Sequence, residues 1–162
     1  MRRLTIQVSA CMEAMGLLIQ MAWADGRLDD REKEGVRGAA QVLNLPADFR
    51  ARLEQQLAAP GSLEQLNLSK LTTRERAFAF VAAAWMAHVD EVLDPKEKDL
   101  LSRLGEKLEF TPEQQETYSN IAASLRPLPS GVASWADQIT RLFKTIPAEL
   151  EEPGGAFEVV FE

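Results

Sequence analysis

Asp25, Asp29 and Glu32 stand at i, i+4 and i+7, and Asp90, Asp94 and Glu97 repeat that spacing 65 positions later. Carboxylates are hard oxygen donors of the kind that hold calcium, magnesium or manganese. Two halves packed about a pseudo-two-fold axis would bring all six into one cation site. The same residues also have a purely conformational use. Asp25-Gly26 suits a helix exit, and Asp29-x-x-Glu32 and Asp94-x-x-Glu97 suit helix starts closed by a capping box. The spacing alone serves both readings. It excludes an EF-hand, because position 12 counted from Asp25 is Val36, where that loop needs a bidentate glutamate.

Other chemistry has thinner support. His88 is the single histidine and lies two residues before Asp90. It has the chemistry of a metal ligand or a general base. It also fills the slot that Trp23 fills in the first half, which favours a ring packed at a helix end. Cys11 is the single cysteine, so no internal disulfide can form. Its neighbour Glu13 has the wrong sign to favour a thiolate. Cys11 therefore reads as a small buried apolar residue, in keeping with a reducing cytoplasm. Trp23, Trp85 and Trp135 fall on apolar helical faces and read as core. The sequence has no glycine-rich phosphate loop and no Cys/His metal cluster.

The elements that would position the carboxylates are helices. Val8, Met12, Met15, Ile19 and Ala22 form one stripe, widened by Cys11 and Leu18, so a helix is expected over 4–24. A second helix is expected over 29–43, with Val36, Ala39, Ala40 and Leu43 inward and Asn44 closing it before Pro46. A third is expected over 47–58 with Phe49, Leu53 and Leu57 inward. A linker with a short turn near 62–66 follows. The next helix begins at Thr72 or Thr73 with Glu75 as its capping partner. Its stretch from Ala77 to Ala87 is apolar almost all round, which marks a central buried helix. Helices are then expected over 94–108, 112–125 and 132–146, with Pro147 leading out of the last. Phe157 to Phe161 reads as either extended or disordered.

With 162 residues, the chain suits one domain or two small halves sharing a core. A net charge of −7 disfavours nucleic-acid binding, which needs a basic face, and allows cations or a basic protein surface as partners. Arg2-Arg3 and Ala22-Trp23-Ala24 superficially fit a leader with a cleavage site. Gln7, Glu13 and Gln20 interrupt the apolar run at helical spacing, which favours an amphipathic helix. The longest uncharged apolar run, Ala77 to Ala87, is too short to span a bilayer. Peripheral membrane contact and oligomeric state are left open.

The doubled pattern carries a resemblance. An apolar helix runs into Ala22-x-Ala24-Asp25-Gly26-x-Leu28-x-x-x-Glu32, and another into Asp90-x-x-Leu93-x-x-x-Glu97. Over roughly residues 8–125 this resembles the tellurite-resistance TerB-like family. The resemblance implies an all-helical fold of two similar halves and acidic residues proposed to bind a divalent metal. It also implies a loose link to bacterial tellurite and stress resistance; related domains occur beside the membrane in J-domain co-chaperones. The family's acidic positions fall on Asp25, Glu32, Asp90 and Glu97, with Asp29 and Asp94 nearby. Glu91 stands where the family commonly has glycine.

The expected architecture is an all-α bundle of about seven to eight helices in one domain over 1–150. Its repeat halves cover about 4–58 and 72–125, a C-terminal helix covers about 132–146, and a flexible or extended tail covers 151–162. The expected function is a non-enzymatic cytoplasmic module with a protein partner and a divalent cation at Asp25, Asp29, Glu32, Asp90, Asp94 and Glu97. A metal-free interaction domain is the alternative, and a hydrolase using the acidic cluster and His88 is a third reading. If Asp29 and Asp94 are N-caps, Asp29→Ala and Asp94→Ala should each destabilise the fold by about 1 kcal/mol in denaturant melts. Unchanged melts would remove the capping role and leave both carboxylates to a ligand.

Overall fold

In the computed structural model the described residues are 2–24, 28, 30–59, 71–87, 95–125, 135–152 and 157–161. Three helices follow one another twice. The first set is α1 (Val8–Trp23), α2 (Asp30–Val42) and α3 (Ala47–Ala58), and the second is α4 (Thr73–Ala87), α5 (Pro95–Lys107) and α6 (Pro112–Ser124). Each helix of the second set starts 65 positions after its counterpart. A last helix, α7 (Trp135–Glu151), and two strands, β1 (Arg2–Ile6) and β2 (Phe157–Phe161), complete the described elements. The fold is an all-helical bundle with one small sheet. The turn expected near 62–66 lies outside the described residues.

The repeat extends to the helix exits. At the end of α2 the Leu45 N–H donates to the Ala40 carbonyl at 3.0 Å and the Asn44 N–H to Gln41 at 3.1 Å. At the end of α5 the Phe110 N–H donates to Gly105 at 2.9 Å and the Glu109 N–H to Glu106 at 3.0 Å. This pair of bonds is the Schellman ending, which needs a left-handed residue after the helix. Asn44 (φ 57°) and Glu109 (φ 67°) supply it, again 65 positions apart. Asparagine tolerates this conformation better than glutamate does. In the second half, Arg76 braces the turn by donating to the Leu108 carbonyl at 3.4 Å and meeting the Glu109 carboxylate at 3.2 Å.

Helix starts follow the capping chemistry where they are described. The Thr72 hydroxyl accepts from the Glu75 N–H at 3.2 Å and the Glu75 carboxylate accepts from the Thr72 N–H at 2.9 Å. This exchange explains a buried glutamate at the head of α4. Thr111 and Gln114 form the same reciprocal box at the head of α6, with Pro112 in the first turn.

The core is built on α1 and α4, which pack against each other more extensively than any other pair of described elements. Every residue of α4 from Ala77 to Ala87 is buried. The expected inward residues of α2 and α3 are buried as well, as are Leu101 and Leu104 of α5. Two expectations about α1 are corrected. It is buried on most sides between Ala10 and Met21 rather than along one stripe, because its own half and the other half both cover it. It also starts at Val8, not at 4. Residues 2–6 alternate, with Leu4 and Ile6 buried and Arg3 and Thr5 exposed, and form β1. Its parallel partner β2 aligns Arg2 with Phe157 and Ile6 with Phe161. No local signal in the sequence points to a partner that distant.

α7 closes the bundle over α2 and α4. Ile139, Leu142, Phe143 and Ile146 are buried, and Phe143 meets Phe78 edge-on at 5.3 Å. The helix does not stop at Pro147 as expected, but continues to Glu151. Proline removes one N–H bond from a helix interior. Contacts with both strands and ion pairs from Arg74 to Glu151 and from Arg2 to Glu152 hold the last turn.

α2 and α7 approach so closely at Gly38 that a Cβ there would lie 2.7 Å from the Cβ of Ala136. At Gly105 the nearest atoms a Cβ would meet belong to the side-chain amide of Gln115, the far end of a flexible group. Alanine is the better helix former by about 1 kcal/mol. Gly38→Ala is nevertheless expected to destabilise by about 1–3 kcal/mol through overpacking. Gly105→Ala should stay within about 1 kcal/mol of wild type, since only the Gln115 bond to the Phe110 carbonyl is at stake. Denaturant melts that reverse this order would show that α7 can lift from α2 at little cost.

Candidate functional site

The ends of α1 and α4 are pinned by tryptophans. The Trp23 indole N–H donates to the Gln56 carbonyl on α3 at 3.0 Å. The Trp85 indole N–H donates to the Leu125 carbonyl at the end of α6 at 2.6 Å. Each bond ties the first helix of a half to the end of its third. The Lys33 ammonium lies 5.9 Å from the centre of the Trp23 ring, which fixes the start of α2 beside the end of α1. Leu28, between those helices, is buried and anchors the connection in the core.

Of the six expected carboxylates, two belong to the described residues. Glu32 is half-buried in the first turn of α2, and Glu97 is buried in the first turn of α5. Both positions favour negative charge, because the positive end of the helix dipole lies there. Both side chains already have partners within the fold. Asp25, Asp29, Asp90, Asp94 and His88 lie outside the described residues. Among the described residues, no group of three or more His, Cys, Asp or Glu side chains is placed to hold a metal.

The two acidic segments nevertheless attach to the scaffold side by side. Ala24, the residue before Asp25, and Pro95, the residue after Asp94, line one pocket of about 450 Å³ together with Lys96, Asp99, Leu100 and Arg103. Asp99 and Arg103 pair across one helical turn at 3.2 Å. The sequence reading passed over this groove, because Lys96 and Arg103 look like ordinary solvated helix charges. The only signal was positional: they stand 65 residues after Arg31 and Gly38. A smaller cavity of about 110 Å³ lies between Trp85, Leu125, Arg141 and Leu142.

Residues 7–121 match a family described as a protein of unknown function, DUF533. The chain belongs to the DUF533 family. The matched region spans α1 to most of α6, so the DUF533 unit is the doubled three-helix set without α7 or the strands. No curated protein and no solved structure matches the chain. Among the described residues, no helix of this DUF533 chain is long and apolar enough to cross a membrane.

Cys11 is removed from the chemistry. It is buried in α1, and burial pushes its thiol from 9.0 up to about 12. The folded state thus keeps a proton that the unfolded state gives up above pH 9, so this group's contribution to stability is lost as pH rises from about 9 towards 12. A thiol reagent at pH 8 should leave native protein unlabelled and label it fully in denaturant, as mass spectrometry would read directly. Rapid labelling of the native fold would mean that α1 opens locally.

Proposed function

We propose that the chain is a TerB-like, non-enzymatic helical module that holds a divalent cation between its two acidic segments and contacts a protein partner, in a bacterial stress response of the tellurite-resistance kind. The supporting observation is the meeting of Ala24 and Pro95 at one pocket, which attaches both acidic segments to the same side of the bundle. The precise 65-residue repeat of helices and helix exits supports the two-half architecture behind it.

The donor chemistry fits a hard cation. Asp25, Asp29, Glu32, Asp90, Asp94 and Glu97 are all carboxylates, and calcium, magnesium or manganese takes oxygen ligands. A bound ion would cross-link the two halves. The chain's own residues do the rest: Trp23 and Trp85 hold the helix ends, and Leu28 anchors the first connection. The buried thiol Cys11 is in keeping with a cytoplasmic setting. A metal-free interaction domain is the second reading. It is favoured by the partners that Glu32 and Glu97 already have, and by Lys96 and Arg103 beside the acidic segments.

The double variant Asp25→Asn, Asp90→Asn separates the two. Converging carboxylates repel one another when no ion is bound. The variant should therefore melt above wild type in chelator. Wild type should gain stability with calcium, magnesium or manganese, by about 2.7 kcal/mol at an ion concentration of 100 times Kd, and the variant should lose that gain. Equal ion responses of the two proteins at fixed ionic strength would sink the shared cation site and leave the metal-free domain.

A further inference from the structure

The two strands of the small sheet are not covered alike. They run parallel and in register, so Leu4 faces the same way as Val159, and Ile6 the same way as Phe161. Leu4 and Ile6 are buried, yet Val159 and Phe161 beside them are only half-buried, as is Phe157. On the opposite face Thr5 is exposed and Val160 half-buried. Among the described residues each strand has one strand neighbour. β1 carries two exposed arginines, Arg2 and Arg3. β2 reads Phe157-Glu158-Val159-Val160-Phe161 and has none of the usual guards of a sheet edge: no lysine, no proline and no inward-pointing charge.

We infer that β2 is a contact between two copies of this chain, which pair antiparallel along its outer edge and join their sheets in the order β1-β2-β2-β1. The inference needs neither the acidic segments nor a cation. Three features select a second copy. First, the strand is self-complementary. About a two-fold axis at Val159, Phe157 stands opposite Phe161 of the other copy, Glu158 opposite Val160, and Val159 opposite itself. Aromatic and β-branched pairs then form on one face, and no charge faces its like. Second, charge is balanced here in a chain of net charge −7. Arg3 meets Glu158 at 3.7 Å. Arg2 pairs with Glu152, and its guanidinium lies 4.5 Å from the centre of the Phe157 ring. These two arginines and two glutamates cancel, so two acidic chains can approach at β2 without opposing net charge. Third, the sheet is incomplete as it stands. Two strands make a marginal sheet, and parallel strands are ordinarily buried on both faces. Pairing would complete it and cover Phe157, Val159 and Phe161 with the same side chains of the other copy. A five-residue strand runs about 17 Å. That is short for a standard interface, so the dimer is weak and builds up with concentration.

The test uses the full chain in chelator, so that its outcome is separate from the ion melts. Sedimentation over a concentration series should show a monomer–dimer equilibrium with Kd on the order of 10–100 μM. Amide hydrogens of β2 should gain protection from exchange as concentration rises, while those of the helices stay unchanged. Two substitutions at one half-buried position set the register. Val160→Glu places a carboxylate opposite Glu158 of the other copy and should weaken the dimer about tenfold or more. Val160→Lys places an ammonium opposite the same carboxylate and should leave the dimer at least as tight as wild type. Because both variants put a charge at the same site, a simple loss of folding would affect them alike. Four results would overturn the inference. These are a monomer up to about 1 mM, oligomers that grow beyond the dimer, new protection centred outside β2, or equal weakening by Val160→Glu and Val160→Lys. β2 amides already protected in dilute monomer would show that the edge is covered within one chain. Binding of an unrelated extended peptide at β2 without self-association would replace the second copy with a partner's strand.

Discussion

The packing of α1 against α4 is the constraint on which the rest of the bundle depends. Both helices are buried on nearly all sides, and both are rich in small residues: Ala10, Ala14 and Gly16 on one, Ala77, Ala79, Ala82, Ala83 and Ala84 on the other. Small side chains allow close axial approach, and close approach leaves no room for polar groups that lack partners. The few polar groups at the margins are accordingly engaged. Glu75 is spent on its capping box, and Glu13 has its own partner. Every other helix is placed by which side of this pair it covers. Because α1 runs into Asp25 and α4 runs towards Asp90, the same contact decides where the acidic segments leave the core.

Much of this was legible in the residues, and the reasons are local. Thr72 with Glu75 and Thr111 with Gln114 announce helix starts through side-chain bonds spanning three residues. Asn44 before Leu45-Pro46 announces an exit, because few residues other than glycine accept a positive φ as readily. The apolar faces of α2, α3 and α5 are read from spacing alone. What failed was non-local. β1 exists because β2 lies beside it, and two short parallel strands are marginal without the helix beneath them. Pro147 normally argues for a stop, yet contacts and ion pairs made by the far end of α7 outweigh one missing hydrogen bond. The candidate site was legible as chemistry, in six carboxylates at a repeated spacing. Its neighbour, the pocket lined by Ala24 and the start of α5, was not, because it is formed by elements far apart in the sequence.

Charge beside the acidic segments is mixed in sign. Ala24 and Pro95, where the acidic segments join the described residues, line a pocket with Lys96, Asp99 and Arg103. Water screens exposed charges over about 10 Å at ordinary ionic strength, so neighbouring segments of opposite sign are not independent.

The asymmetry between the halves has its own logic. A doubled unit begins with two equivalent outer faces, and a single added helix can cover only one. In the first half, Gly38 on α2 admits α7 to near backbone contact, and the α7 apolar face is absorbed into the core. In the second half, the positions corresponding to Gly35 and Gly38 carry Leu100 and Arg103. Glycine weakens a helix interior by about 1 kcal/mol relative to alanine, so glycines are retained on α2 where close packing offsets that loss. On α5 the close neighbour at Gly105 is the side chain of Gln115 rather than backbone, and Leu100 and Arg103 are at least partly exposed among the described residues. Among the described residues, the difference between Gly38 and Arg103 thus follows the presence of α7 over α2. At Gly38 it makes α2 an internal surface that a larger side chain would push away from α7.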